Sequence, residues 1–126
     1  MSFSILVIED EMKIINFIKR GLQEEGYTVD VANNTQLGYF LADTNKYNLI
    51  ILDITIYGME GLKLYKKLKD KRIGSPVFII ATEDTIYNDI TSMFEGVDRY
   101  ITKPFEFDEF LLNVYNILRK PVKVLR

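Results

Sequence analysis

The 126 residues include no cysteine and no histidine. Without cysteine there is no disulfide framework, in keeping with a reducing compartment. The missing histidine excludes Ser-His-Asp and Cys-His machinery, zinc sites of the usual His/Cys kind, and any role as a phosphohistidine carrier. Carboxylate, lysine, hydroxyl and hard cations are left to carry chemistry. Long apolar runs are also missing. The first, Ile5 to Ile8, is cut short by Glu9, Asp10 and Glu11, so it reads as neither a signal peptide nor a membrane span. A cytoplasmic location is expected.

Net charge is only -2, but its distribution is uneven. Arg119, Lys120, Lys123 and Arg126 fall in the last eight residues, which hold no acid. Residues 1–118 therefore carry 18 acids against 12 bases, a net -6. A body that acidic is a poor nucleic-acid binder. A chain of this length buries roughly two thirds of its extended surface. A composition 48% hydrophobic can then build a core without metal or disulfide staples. One domain is expected over residues 1–119, with 120–126 either a basic tail or the start of a linker to an effector domain outside this chain.

Apolar periodicity alternates between short strand-like runs and helical stretches. Strands are expected at Phe3 to Ile8, Tyr27 to Val31, Asn48 to Leu52, Val77 to Ala81 and Arg99 to Thr102. Between them, Ile14, Ile18 and Leu22 share a helical face that stops before Gly26. Leu37, Phe40 and Leu41 mark a second helix, and Leu62, Tyr65 and Leu68 a third. Ile86, Ile90, Met93 and Phe94 mark a fourth before Gly96, and Phe107, Phe110, Leu111, Val114 and Leu118 a fifth. Strict βα alternation implies an α/β fold: a (βα)5 doubly wound, five-stranded parallel sheet of flavodoxin-like type, order 2-1-3-4-5.

In such a sheet ligands sit beyond the carboxyl ends of the strands, near the reversal of strand order between strands 1 and 3. Glu9 and Asp10 follow strand 1, Asp53 ends strand 3, Ala81 and Thr82 end strand 4, and Lys103 follows strand 5. Seen alone, an acidic pair after a strand is more often a helix-start charge cluster, and a Lys-Pro dipeptide more often a turn. Together they place three carboxylates beside one lysine at one sheet edge, which is repulsive without a further cation. Mg²⁺ fits better than Ca²⁺, because protein oxygens are few and Mg²⁺ commonly pairs carboxylates with phosphoryl groups.

These residues resemble the receiver domains of two-component response regulators. The resemblance covers residues 3 to about 119 through Ile5-Leu-Val-Ile-Glu-Asp-Glu11, Leu52-Asp53 with Gly58-Met-Glu-Gly61, and Tyr100-Ile-Thr-Lys-Pro-Phe105. It implies that Asp53 is the phosphoacceptor for a sensor histidine kinase. It also implies that Asp10 holds Mg²⁺ directly and Glu9 through water, that Asp53 and the Thr55 carbonyl complete the protein ligands, and that Lys103 binds phosphoryl oxygens. The Lys103-Pro104 bond would be cis, and Tyr100 matches the switch aromatic that turns inward on activation. Such domains phosphorylate and dephosphorylate themselves only in a limited, Mg²⁺-dependent sense and are not enzymes on a separate substrate.

Three departures stand out. The position of the family's switch hydroxyl is Ala81, and the hydroxyl has moved to Thr82. Either the strand end bulges to bring Thr82 to the site, or the phosphoryl group lacks a hydroxyl contact and its coupling to Tyr100 is weak. Tyr57 stands where many receivers have proline, and Thr55 and Glu83 stand where the family tunes access of the hydrolytic water. Tyr100 to Phe105 looks most like the OmpR/PhoB class of transcription regulators, which dimerise through the fourth helix, fifth strand and fifth helix by cross-subunit ion pairs. Here Asp89 would face Glu109, Arg99 replaces an aspartate and Asn113 an arginine, so a homodimer would need altered pairs.

Two other readings compete. One is an atypical receiver working as a phosphorylation-independent interaction module, which Ala81 and the altered dimer face favour and Glu9, Asp10, Asp53 and Lys103 oppose. The other is a flavodoxin-like electron carrier, whose phosphate loop after strand 1 would here read Glu9-Asp-Glu-Met-Lys13 and repel a phosphate.

Overall fold

The computed structural model describes residues 2–56, 58, 60–85 and 99–119. Five strands, β1 (Ser4–Ile8), β2 (Thr28–Ala32), β3 (Leu49–Asp53), β4 (Val77–Ala81) and β5 (Arg99–Thr102), alternate with helices α1 (Met12–Glu24), α2 (Thr35–Thr44), α3 (Glu60–Asp70), α4 (described over Glu83–Thr85) and α5 (Phe107–Leu118). All neighbouring strands pair in parallel, in the order β2-β1-β3-β4-β5. The expected α/β architecture and strand order are thus found. The expected fourth-helix face of Ile86, Ile90, Met93 and Phe94 lies outside the described residues.

Side chains alternate across a strand, so a sheet covered on both faces needs apolar residues at every position. Ile5, Val7, Leu49, Ile51, Phe78 and Ile80 pack with Ile18 and Leu22 of α1 and Phe110 and Val114 of α5. Leu6, Ile8, Ile50, Leu52 and Ile79 pack with Ala42 of α2 and Leu62, Tyr65 and Leu68 of α3. Each of the fully buried Val, Leu, Ile and Phe side chains contributes roughly 1.5–3 kcal/mol, which lets the domain carry costly polar groups at one edge.

Periodicity placed the elements to within a residue at most strand ends, and β4 and β5 have the expected bounds. The second helix departs from expectation. It buries Gly38 and Ala42, leaving Leu37 38% and Phe40 59% exposed. The reason is close approach: a Cβ on Gly38 would lie 2.9 Å from Cδ1 of Ile8. The small residues therefore face the sheet, and the large apolar ones do not.

Register then aligns the strand ends. Ile8 pairs with Leu52, Asp53 with Ile80 and Ala81 with Thr102. The residues after β1, at the end of β3 and after β5 consequently meet at one edge. Gly58 adopts φ +71°, a left-handed conformation that glycine takes without steric cost, in the loop leading from β3 to α3. Gly61 then brings α3 against that loop, so closely that a Cβ would sit 2.4 Å from the Asp53 carbonyl oxygen and 2.5 Å from the Ile54 Cα.

Backbone cannot yield as a flexible side chain can, so Gly61→Ala should overpack this contact. The expected loss is about 1–3 kcal/mol in urea unfolding, with displaced Asp53 and Ile54 amide resonances. Unchanged stability would show that α3 is free to move away.

Candidate functional site

Asp53 ends β3 and is buried, as is Glu9 immediately after β1. Burying a carboxylate costs several kcal/mol unless it is paired and hydrogen-bonded. Asp53 meets both conditions. Its Oδ2 accepts a hydrogen bond from the Lys103 ammonium at 2.7 Å, while its Oδ1 accepts from the Thr55 backbone N–H at 2.8 Å and the Thr55 hydroxyl at 2.6 Å. The backbone contact is the i to i+2 turn that aspartate commonly makes with its own chain.

Glu9 is satisfied only on one side. Its Oε2 accepts the backbone N–H groups of Asp10 and Glu11, at 2.9 and 3.2 Å. Its Oε1 is buried, accepts no hydrogen bond among the described residues, and lies 3.4 Å from the Lys103 ammonium nitrogen. Burial, and then the charge of Asp53, push the Glu9 carboxyl up to about 8. Both causes favour the neutral form of Glu9, which lessens its repulsion against Asp53.

Lys103 is held at several points. Its backbone N–H donates to the Ala81 carbonyl at 2.8 Å, continuing the β4–β5 pairing by one residue. The Lys103-Pro104 peptide is cis, as the family resemblance implied. Beyond it, Phe105 stacks on the buried Phe110, with centroids 5.2 Å apart, and Phe110 stacks on Phe78 of β4 at 5.3 Å. Such ring pairs add roughly 0.5–1.5 kcal/mol each beyond area burial, and here they fix the loop that carries the ammonium. Burial pulls the Lys103 ammonium down, but its hydrogen bond to Asp53 and the charges of Asp53, Glu9 and Glu11 outweigh that and push it up to about 12.

Glu9, Asp10 and Asp53 each offer an oxygen, and these lie within 4.8 Å of one another. The donor set is all oxygen and suits a hard divalent cation. The Glu9 Oε1, without a hydrogen bond among the described residues, is the specific observation that fits one, since a cation there would neutralise the carboxylates.

Two groups at this site were missed by strand-end reasoning. Glu11 reaches Lys103 at 3.4 Å, and the Thr55 side chain grips Asp53. Their sequence proximity to Glu9 and Asp53 was the available signal. Thr82 stands apart from the cluster. Its hydroxyl is 2.8 Å from the Thr85 hydroxyl and accepts the Thr85 N–H at 3.3 Å, which caps the start of α4. No hydrogen bond joins Thr82 to Asp53 among the described residues. Ala81 is buried with the α2/α3 cluster, and Tyr100 is 49% exposed. On the β5–α5 surface, Arg99 donates to the Asn113 side chain at 3.1 Å, within the chain. Asp89 lies outside the described residues.

Comparison with known proteins agrees with this geometry. The family model "Response regulator receiver domain" matches residues 5–115. Transcriptional regulatory protein CusR of Escherichia coli (strain K12) is 36% identical over 121 residues, covering 96% of this chain and 53% of the relative. Response regulator ArlR of Staphylococcus epidermidis (strain ATCC 12228 / FDA PCI 1200) is 33% identical over 117 residues, covering 93% of this chain and 53% of that protein. The chain thus spans about half the length of these relatives, which are regulators of the OmpR/PhoB class. Among solved structures, the Francisella response regulator 1452 receiver domain superposes with TM-score 0.85 at 34% identity, covering 94% of this chain and 98% of the other. Thermotoga maritima TrrA in complex with Mg²⁺-BeF gives TM-score 0.79 at 32% identity, covering 93% and 99%. A match from the first strand into the last helix, at this identity and with this strand order, decides the matter: the chain belongs to the response regulator receiver domain family of two-component signalling.

Proposed function

We propose that Asp53 accepts a phosphoryl group from a sensor histidine kinase in the cytoplasm, and that the signal regulates transcription through a DNA-binding domain to which residues 120–126 would lead. The observation that carries this reading is the buried Asp53 carboxylate 2.7 Å from Lys103, within an acidic cluster at the strand ends. Nucleophilic attack by a carboxylate oxygen on phosphorus breaks the donor's P–N bond and leaves an acyl phosphate on Asp53. Lys103 is already in place to bind the phosphoryl oxygens, which stabilises charge in transfer. Asp10, Glu9 (through water), Asp53 and the Thr55 carbonyl would hold Mg²⁺, and the ion supplies charge neutralisation for both the carboxylates and the phosphoryl oxygens.

The kinase would dock beside Lys103. A mostly apolar hollow of about 430 Å³ there is lined by Ile14, Phe17, Lys103, Pro104 and Phe105, and Met12 and Phe17 are exposed on α1. Limited Mg²⁺-dependent autophosphorylation and autodephosphorylation belong to the same reading. The alternative, a phosphorylation-independent interaction module, would need none of the buried charge that this fold sustains.

Signal output is proposed to depart from the usual route. With Ala81 in place of a hydroxyl and Thr82 engaged in capping α4, the phosphoryl group is weakly coupled to the switch aromatic Tyr100. A homodimer through α4, β5 and α5 would lack two of the usual ion pairs, and Arg99 is already engaged with Asn113.

Incubation with acetyl phosphate and Mg²⁺ should give a labile phosphate that is absent from Asp53→Asn. No labile phosphate on the unmodified protein would return the interaction-module reading to favour. Beryllofluoride should shift resonances around Asp53 strongly and Tyr100 weakly, with Ala81→Thr enlarging the Tyr100 response. A full Tyr100 response that ignores both Ala81→Thr and Thr82→Ala would sink the weak-coupling reading. Sedimentation of the beryllofluoride-bound domain is expected to leave it largely monomeric, and a symmetric dimer through the β5–α5 face would show that other pairs replace the missing ones.

A further inference from the structure

Asp53 Oδ1 accepts two hydrogen bonds, both from Thr55. A carboxylate oxygen has two lone-pair sites, so this atom is saturated, while Oδ2 is held by Lys103. A cation can therefore reach Oδ1 only if one Thr55 donor leaves. The backbone N–H is constrained by the chain and by the loop that continues into α3. The hydroxyl moves by rotation about one torsion, which for a β-branched residue has discrete staggered wells.

We propose that the Thr55 hydroxyl is a latch on Asp53, competing with the divalent cation for Oδ1 and so setting the cation affinity of the site. This inference rests on the reading that Glu9, Asp10 and Asp53 hold Mg²⁺, and goes beyond it by giving the Thr55 side chain a role distinct from that of its carbonyl. Thr55 is thus a positioning residue, acting through Asp53. In the latched state its hydroxyl supplies part of the polarisation that a cation would otherwise provide, and Lys103 completes it on the other oxygen. A cation that entered by displacing Lys103 from Oδ2 would leave the latch closed, so the two routes predict different responses to a change at residue 55.

Mg²⁺ titrations followed by backbone amide shifts, on the wild type, Thr55→Ser, Thr55→Val, Thr55→Ala and Asp10→Asn, separate these cases. Thr55→Val and Thr55→Ala, which lack the hydroxyl, should bind Mg²⁺ about tenfold more tightly, the effect of losing one competing charge-assisted hydrogen bond. Thr55→Ser should restore wild-type affinity, and Asp10→Asn should abolish binding. In the wild type, the Thr55 methyl resonance should shift at saturation as the side chain rotates. Equal or weaker binding by both hydroxyl-free variants overturns the latch, and loss of binding in Asp10→Asn alongside that result leaves the metal reading intact. Serine binding as tightly as valine also overturns it, because shape rather than the hydroxyl would then be responsible. Binding by Thr55→Val but not by the wild type supports a stronger latch, whereas no binding by any variant overturns the latch and the metal reading together.

Discussion

The Lys103 ammonium faces Asp53 at 2.7 Å and Glu9 and Glu11 at 3.4 Å, and the site depends on that one cation. Two of those carboxylates are buried. Ions taken out of water lose several kcal/mol each unless neighbours replace the solvent, and one ammonium cannot balance three acids. The structure eases the imbalance by placing two backbone N–H groups on Glu9 and two Thr55 donors on Asp53, and burial raises the proton affinity of Glu9. What remains is a buried Glu9 oxygen without a hydrogen bond among the described residues, and a preference for added positive charge.

Much of the fold can be understood as support for that arrangement. Parallel register brings the ends of β1, β3 and β5 to a common edge. Gly61 lets α3 press on the backbone immediately after Asp53, and the Phe78, Phe105 and Phe110 stack fixes the loop that bears Lys103. The two hydrophobic layers supply the stability that the charged edge consumes.

How much of this could be read from residues alone depended on whether a feature repeats along the chain. Runs such as Leu49 to Leu52 and Val77 to Ile80 declared buried parallel strands, and strand ends in turn located Glu9, Asp10, Asp53 and Lys103. Alpha-helical faces were less legible. In α2 the larger apolar residues Leu37 and Phe40 point outward because Gly38 sits against Ile8, a choice made by distance and not by hydrophobicity. Contacts of a single polar side chain were least legible. The Thr55 grip on Asp53 and the Thr82–Thr85 cap are local hydrogen bonds with no period, and serine or threonine occurs in many loops without making them.

The proposed weakening of the switch rests on the same geometry. A ligand shifts a conformational equilibrium only through contacts that differ between its two states. A phosphoryl group on Asp53 would directly change the contacts with Thr55 and Lys103, because both donors already occupy the carboxylate. Lys103 is one residue past β5 and two before Phe105, which stacks on α5, so a change there has a short mechanical route into that helix. Ala81 offers no polar atom beyond its backbone, and Thr82 spends its hydroxyl on α4. Communication through the lysine loop needs neither of them, whereas communication through the end of β4 would have to break the α4 cap first. Under the proposed reading, the residues that depart from the family pattern would weaken one route and leave the other whole.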